Sequence, residues 1–124
     1  MEQKYLVSLV DGIRFFTTDV NLSSLNGLMN QNNIFAVKIG GKTFTKQLIG
    51  FVARAESIDA ANKSVVLKIN NELLFGSSDD VDAALTDLTD SLNKKAYVLF
   101  DGVLFNRGLF QYAEPHIEEV EAQQ

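Results

Sequence analysis

Two stretches of this chain share one layout, and this repetition limits the folds that the chain can adopt. Residues 37–48 and 98–109 each contain an apolar run, a two-residue turn and a second apolar run, with matching residues 61 positions apart. The turns are Gly40-Gly41 and Asp101-Gly102, dipeptides typical of tight β-hairpins. Self-similarity of this kind predicts one structural unit written twice.

Two further dipeptides predict a hairpin at the start of each unit. Asp11-Gly12 lies between the apolar stretches 5–10 and 13–18, and Asn70-Asn71 lies between 65–69 and 72–75. Glycine and asparagine tolerate the positive φ angles of such turns. Two-residue turns would place Val7 opposite Phe16, and Val66 opposite Phe75.

A helix is predicted between the two hairpins of each unit. In the first unit, leucines recur at helical spacing near residues 20–30, after a cap at Thr18 or Asp19. In the second, Ser77 and Asp80 have the spacing of a capping box, and Asn93 is the predicted end. The apolar stripe of this second helix consists of Val81, Leu85, Leu88 and Leu92.

The patterns together predict an α+β protein, a tandem pseudo-twofold repeat of a β-β-α-β-β unit. About eight mainly antiparallel strands and two helices are expected. The length of 124 residues and the 46% hydrophobic composition suit a single globular domain. Its predicted parts are repeat one (4–53), a connector (54–62), repeat two (63–113) and an acidic tail (114–124).

Charge and composition exclude several classes of function. The net charge of -5 disfavours binding to nucleic-acid phosphates, which clustered Lys and Arg residues normally drive. The chain has no cysteine, so disulfides, thiolate nucleophiles and Cys-type zinc sites are excluded. No signal-peptide pattern and no apolar run of membrane-spanning length occur. A soluble, cytoplasmic protein is expected.

No residue pattern indicates catalysis, cofactor binding or a metal site. The single histidine, His116, has no Ser, Cys or Asp marked as its catalytic partner. Glycine-rich phosphate loops and the HExxH zinc motif are absent. The sequence therefore predicts a protein that is not an enzyme and needs no cofactor.

The second unit is more apolar than the first at matching strand positions. Period-two alternation places four of its residues on one sheet face, namely Tyr97, Leu99, Leu104 and Phe110. This face is either core covered by the first unit, which we favour, or a surface for a protein partner or a homodimer.

Charged residues offer two further candidate sites. Asp79, Asp82 and Asp90 are predicted on the outer face of the second helix, where they form a solvated surface, a partner surface or a mimic of nucleic-acid phosphates. Lys46 and Arg107 occupy equivalent positions, two residues after Phe44 and Phe105. They either form an anion site or cover apolar neighbours with their stems.

The segments VSLVDGIRFF and VKIGGKTFTKQLIGFV, within residues 4–52, resemble short accessory proteins encoded by phages and mobile elements. The resemblance implies a non-enzymatic binding protein that modulates or inhibits a host factor, including factors of host defence. A virion or assembly component and a small-ligand-binding module are the alternatives.

Overall fold

The structure, a computed structural model, describes residues 3–117 of the chain. This range contains two α-helices, α1 (Leu22–Met29) and α2 (Val81–Lys94), and three 3₁₀ turns, Lys46–Leu48, Ala55–Ile58 and Arg107–Leu109. It also contains ten strands: β1 (Tyr5–Leu9), β2 (Arg14–Thr17), β3 (Ala36–Ile39), β4 (Lys42–Thr45), β5 (Ile49–Arg54), β6 (Val65–Ile69), β7 (Glu72–Gly76), β8 (Tyr97–Phe100), β9 (Val103–Asn106) and β10 (Phe110–Pro115). The α+β class is confirmed. The predicted acidic tail begins later than expected, because β10 continues to Pro115, and residues 118–124 of it lie outside the described range.

Ten strands form instead of eight because a 3₁₀ turn divides one predicted strand in each half. Lys46–Leu48 separates β4 from β5, and Arg107–Leu109 separates β9 from β10. The division lets β4 pair with β3 while β5 pairs with β1. In the same way, β9 pairs with β8 while β10 pairs with β6.

The central sheet combines strands from both halves of the chain. It has five antiparallel strands in the order β2-β1-β5-β9-β8, and β5 pairs with β9 through Phe51 opposite Phe105 and Val52 opposite Leu104. The remaining described strands form a three-stranded sheet, β10-β6-β7, and the two-stranded hairpin β3-β4. The β8–β9 hairpin of the second half therefore extends the sheet that β2, β1 and β5 of the first half form.

Each face of the central sheet belongs to a separate hydrophobic cluster. On one face, Phe51 and Phe105 pack with Leu88 of α2 and with Leu67 and Leu74 of the three-stranded sheet. The opposite face packs against α1 and β3, through residues that include Leu25, Met29, Val37, Tyr97 and Leu104. Tyr97 and Leu104 of the hairpin β8–β9 thus lie in the core, which confirms the favoured interpretation for these two residues. For Leu99 the core interpretation is wrong, because β8 is an edge strand and this side chain is exposed.

The first turn differs from the sequence prediction. Leu9 N–H donates to the Ile13 carbonyl (2.8 Å), which closes a loop of three residues rather than two. The Asp11 carboxylate accepts from Ile13 N–H (3.1 Å). Val7 therefore lies opposite Phe15, and the predicted pairing with Phe16 is wrong, whereas Val66 does lie opposite Phe75.

The helices begin later than predicted. Asn21 caps α1 by accepting from Ser24 N–H (3.0 Å), and Asp80 caps α2 by accepting from Ala83 N–H (3.1 Å). The predicted cap Ser77 instead donates its N–H to the Asp101 carboxylate (2.6 Å), which ties it to the β8–β9 turn. Neither helix within residues 3–117 is long and apolar enough to cross a membrane.

Tyr97 connects β8 to the first half of the chain. Its side chain is buried, and its hydroxyl donates to the Lys46 carbonyl (3.0 Å). Burial disfavours the phenolate, so it raises the pKa of the Tyr97 phenol above its ordinary value of 10.0. Folding therefore favours the protonated phenol.

We expect Tyr97→Phe to cost about 0.5–1.5 kcal/mol at neutral pH through the lost hydrogen bond. In the wild type, the raised pKa makes the stabilisation by this phenol complete below about pH 10. It is lost as the pH rises from about 10 through the folded-state pKa. Urea unfolding between pH 7 and 11 should show the stability advantage of the wild type shrinking only above about pH 10. A constant difference across that range would contradict the prediction.

Candidate functional site

A groove lined by strand and helix residues lies between α2 and β8. Its volume is about 460 Å³. The helix side is formed by Ser78, Asp79, Asp80, Ala83, Ala84, Asp87, Leu88 and Ser91, and the strand side by Val98, Leu99 and Phe100. We call these residues the acidic groove. None of its lining residues is a lysine, arginine or histidine.

The sequence of α2 explains the shape of the groove. Leu88 is buried and holds the helix against the core, while Ala83, Ala84 and Ser91 are small and leave space beside β8. Asp80, Asp87 and Ser91 recur at helical spacing, so they fall on one side of α2. Small and acidic residues together thus form an open, negatively charged side of the groove.

Two carboxylates of the acidic groove are free to meet a ligand. Asp80 is occupied as the N-cap of α2. Asp79 and Asp87 are exposed, and within residues 3–117 neither carboxylate forms an ion pair or a hydrogen bond. Their charges therefore remain available to a cationic group.

β8 is an edge strand of the central sheet, and half of its backbone groups face away from β9. Arg107 N–H donates to the Ala96 carbonyl (2.9 Å). Because inward and outward residues alternate along an antiparallel strand, the backbone groups of Tyr97 and Leu99 point outward. Strand edges of this kind can accept another chain.

Asn30, at the C-terminal end of α1, covers one of these outward positions. Its Nδ2 donates to the Tyr97 carbonyl (2.9 Å), and its Oδ1 accepts from Tyr97 N–H (3.0 Å). Leu99, the next outward residue, has no such partner among the described residues, and it is 37% exposed. The open part of the edge therefore coincides with the acidic groove.

A smaller groove of about 170 Å³ lies between α1 and β3. The two grooves lie at equivalent places in the two halves. Each helix-side residue of the smaller groove has a counterpart 59 positions later that lines the acidic groove, and each strand-side residue has one 61 positions later. The chemistry differs, because Leu28 corresponds to Asp87 and Lys38 corresponds to Leu99. The smaller groove therefore lacks the charge of the acidic groove and carries a lysine.

The candidate residues predicted from the sequence lie in different parts of the structure. Asp79 and Leu99 meet in the acidic groove. Tyr97 and Leu104 are buried, and Phe110 stacks on Phe105 with ring centroids 5.6 Å apart, so the predicted common face of four residues is wrong. Phe110 belongs instead to the opposite cluster, because the 3₁₀ turn before β10 moves it to another sheet.

The other aspartates lie outside the acidic groove. Asp82 and Asp90 are exposed, and Asp90 forms an ion pair with Lys94 (3.1 Å). Asp87 and Asn30 were not among the candidates. The helical spacing of Asp80, Asp87 and Ser91 could have indicated Asp87, whereas the contact of Asn30 with β8 depends on tertiary structure.

Lys46 and Arg107 have equivalent contacts, but each serves a helix end. Lys46 Nζ donates to the carbonyls of Met29 (3.2 Å), the last residue of α1, and of Gln31 (2.7 Å), just beyond it. Arg107 Nη1 donates to the Leu92 carbonyl (3.1 Å) in the last turn of α2. Cations stabilise the negative end of the helix dipole. The structure shows this capping role, and an anion site at these residues stays a prediction.

The His116 ring packs edge-on against Phe75, with ring centroids 5.2 Å apart, and the backbone N–H of His116 donates to the Ser64 carbonyl (2.8 Å). Among residues 3–117, no three acidic, histidine or cysteine side chains are grouped as metal ligands would be.

Comparison with known proteins adds no relative. No family model matches the chain, and no curated protein or solved structure matches it significantly.

Proposed function

We propose that this chain is a non-enzymatic binding protein whose acidic groove receives an extended, basic segment of a partner protein. One observation carries the proposal: the open edge of β8 at Leu99 lies beside the unpaired carboxylates of Asp79 and Asp87. Added strands gain affinity from main-chain hydrogen bonds and specificity from alternate side chains. The carboxylates would attract lysine or arginine and repel acidic chains.

The tandem pseudo-twofold repeat is proposed on several correspondences between the halves. Both halves have the same order of strands and α-helices, and their helix caps Asn21 and Asp80 are 59 positions apart. A register shift occurs opposite Gly50 and, 61 positions later, at Gln111. The capping roles of Lys46 and Arg107 also correspond, as do the two grooves.

The proposed biological setting rests on the resemblance of the segments VSLVDGIRFF and VKIGGKTFTKQLIGFV to phage and mobile-element accessory proteins. We propose a cytoplasmic protein that binds a host factor and modulates or inhibits it, with factors of host defence as one target class. A homodimer, a virion or assembly component and a small-ligand binder are the other proposals. Light scattering would reveal the oligomers, and a thermal-shift screen would reveal a ligand through stabilisation.

We expect a heptapeptide of alternating lysine and valine to bind the acidic groove. The measurement is an NMR titration at low salt, in which the amide signals of Asp87 and Leu99 should shift and those of Lys38 should not. The double variant Asp79→Lys/Asp87→Lys should weaken binding at least about tenfold, because two favourable charge contacts become repulsive.

The matched control is Asp82→Lys/Asp90→Lys, which changes the net charge equally but lies outside the groove. It should weaken binding no more than about threefold, through long-range attraction alone. Equal losses in both variants, or no binding by the wild type, would contradict the proposed site. A peptide of alternating glutamate and valine should not bind.

A further inference from the structure

We infer the register and the sequence pattern of the bound segment: one residue pairs with Leu99, and a basic residue stands on each side of it. The inference rests on the proposed function and adds its specificity. Asn30 sets the limit of the segment, and the two faces of β8 set its pattern.

Asn30 acts as a fixed stop along the edge of β8. Its carboxamide bonds both the N–H and the carbonyl of Tyr97, as a residue of a neighbouring strand would. The same Nδ2 of Asn30 also lies within hydrogen-bond distance of the Asn26 carbonyl (3.1 Å) and of Asn26 Oδ1 (3.0 Å). These contacts anchor the Asn30 side chain to α1. A segment added to β8 therefore ends before Tyr97.

The turn limits the segment in the other direction. Phe100 pairs with Val103, and Asp101 and Gly102 leave the strand with positive φ angles of 40° and 84°. Leu99 is thus the one outward residue of β8 between the turn and Asn30. The added segment can exchange hydrogen bonds with a single residue of the edge.

The faces of β8 determine which side chains of the segment meet the carboxylates. Val98 and Phe100 pack with the cluster that contains Leu88 of α2, whereas Leu104, opposite Leu99, belongs to the other cluster. Neighbouring residues of two paired strands share a face. The residues on both sides of the central one therefore point to the side of α2, where Asp79 and Asp87 lie.

The inferred pattern is basic-X-basic, with X paired to Leu99. The pattern is the same read in either direction, so it holds for a parallel or an antiparallel segment. The side chain of X lies on the face of Leu99, away from the carboxylates, and has no charge requirement.

Two peptides of equal composition test the spacing on the wild-type protein: Gly-Ser-Lys-Val-Lys-Ser-Gly and Gly-Ser-Lys-Lys-Val-Ser-Gly, both with blocked ends. The second peptide can place only one lysine beside the central residue in any register. We expect it to bind about three- to fivefold more weakly, the effect of one charge contact. The first peptide should also slow hydrogen exchange at the Leu99 amide.

Peptides of different length test whether Asn30 limits the bound segment. A peptide with the core Lys-Val-Lys-Val-Lys should exceed the Lys-Val-Lys peptide on the wild type by no more than about twofold, the statistical gain of a second register. On Asn30→Ala, which frees the Tyr97 backbone, the gain should rise to about tenfold. The folded state of this variant is checked by its NMR spectrum.

Failure of the register and failure of the site give different results. Equal binding of the two spacing isomers, with both weakened by Asp79→Lys/Asp87→Lys, would overturn the register and leave the acidic groove as the site. Absence of binding by every basic peptide would overturn both. A large gain from length on the wild type would overturn the stop at Asn30.

Discussion

Replacing Leu104 by lysine is expected to unfold the protein, while the same replacement at Leu99 leaves it folded. The two residues lie directly opposite each other on β8 and β9. Leu104 is 1% exposed and packs in the cluster that joins both halves, whereas Leu99 is 37% exposed at the sheet edge. An unpaired ammonium at Leu104 should cost at least about 4 kcal/mol, close to the whole stability of a small domain.

Urea unfolding followed by circular dichroism measures both variants. Leu99→Lys should change the free energy of unfolding by less than about 1 kcal/mol, as substitutions at exposed positions do. Leu104→Met keeps the volume and the apolar character, and should cost less than about 1.5 kcal/mol. A stable, folded Leu104→Lys would show that this residue is not in the core.

Local sequence chemistry was sufficient to predict three of the four turns. Gly40-Gly41, Asn70-Asn71 and Asp101-Gly102 each have positive φ angles at both residues, as two-residue hairpins require. Asp11-Gly12 failed because only Gly12 has a positive φ, and its loop takes in Val10 as a third residue. Asp-Gly thus occurs in a two-residue turn at Asp101-Gly102 and in a three-residue loop at Asp11-Gly12. For this reason the register of β2 could not be predicted from the dipeptide.

The pairing between the halves could not be predicted, and it forms on one side only, where β5 meets β9. Arg54 N–H donates to the Gly102 carbonyl (2.9 Å), where β5 meets the β8–β9 hairpin. The residue 61 positions later is Pro115, which has no N–H to donate to a hairpin. A pairing of β10 with the β3–β4 hairpin would therefore lack this hydrogen bond, and among the described strands β10 pairs with β6 alone. The effect of Pro115 on strand pairing can be recognised only once the partner strand is known.

The candidate site was predicted in part for a similar reason. Asp79 and Leu99 were found because composition differs between equivalent positions of the two halves. Asn30 lies 67 positions from Tyr97, and no periodic pattern connects them. Hydrogen bonds between distant segments depend on how the layers pack, which the local sequence does not encode.

Separate fragments 1–62 and 63–124 are expected to be unfolded alone and to regain structure when mixed. The first fragment lacks Tyr97 and Leu104, which complete its cluster, and the second lacks Leu6, Phe51 and Ala53. Each large apolar side chain is worth about 1.5–3 kcal/mol when buried. Chains of about 60 residues bury a smaller fraction of their surface than larger domains and are only marginally stable, so neither half is expected to tolerate the loss of these contacts.

The dispersion of amide signals in NMR spectra measures the folding of each fragment and of the equimolar mixture. A matched control is the intact chain with a protease site placed after Asp59 and cleaved after folding, because cleavage removes no contact between the halves. This nicked protein should keep its dispersed spectrum. If fragment 1–62 alone gives a dispersed spectrum and a cooperative melting transition, the first half is a domain of its own, and the prediction of a single domain is wrong.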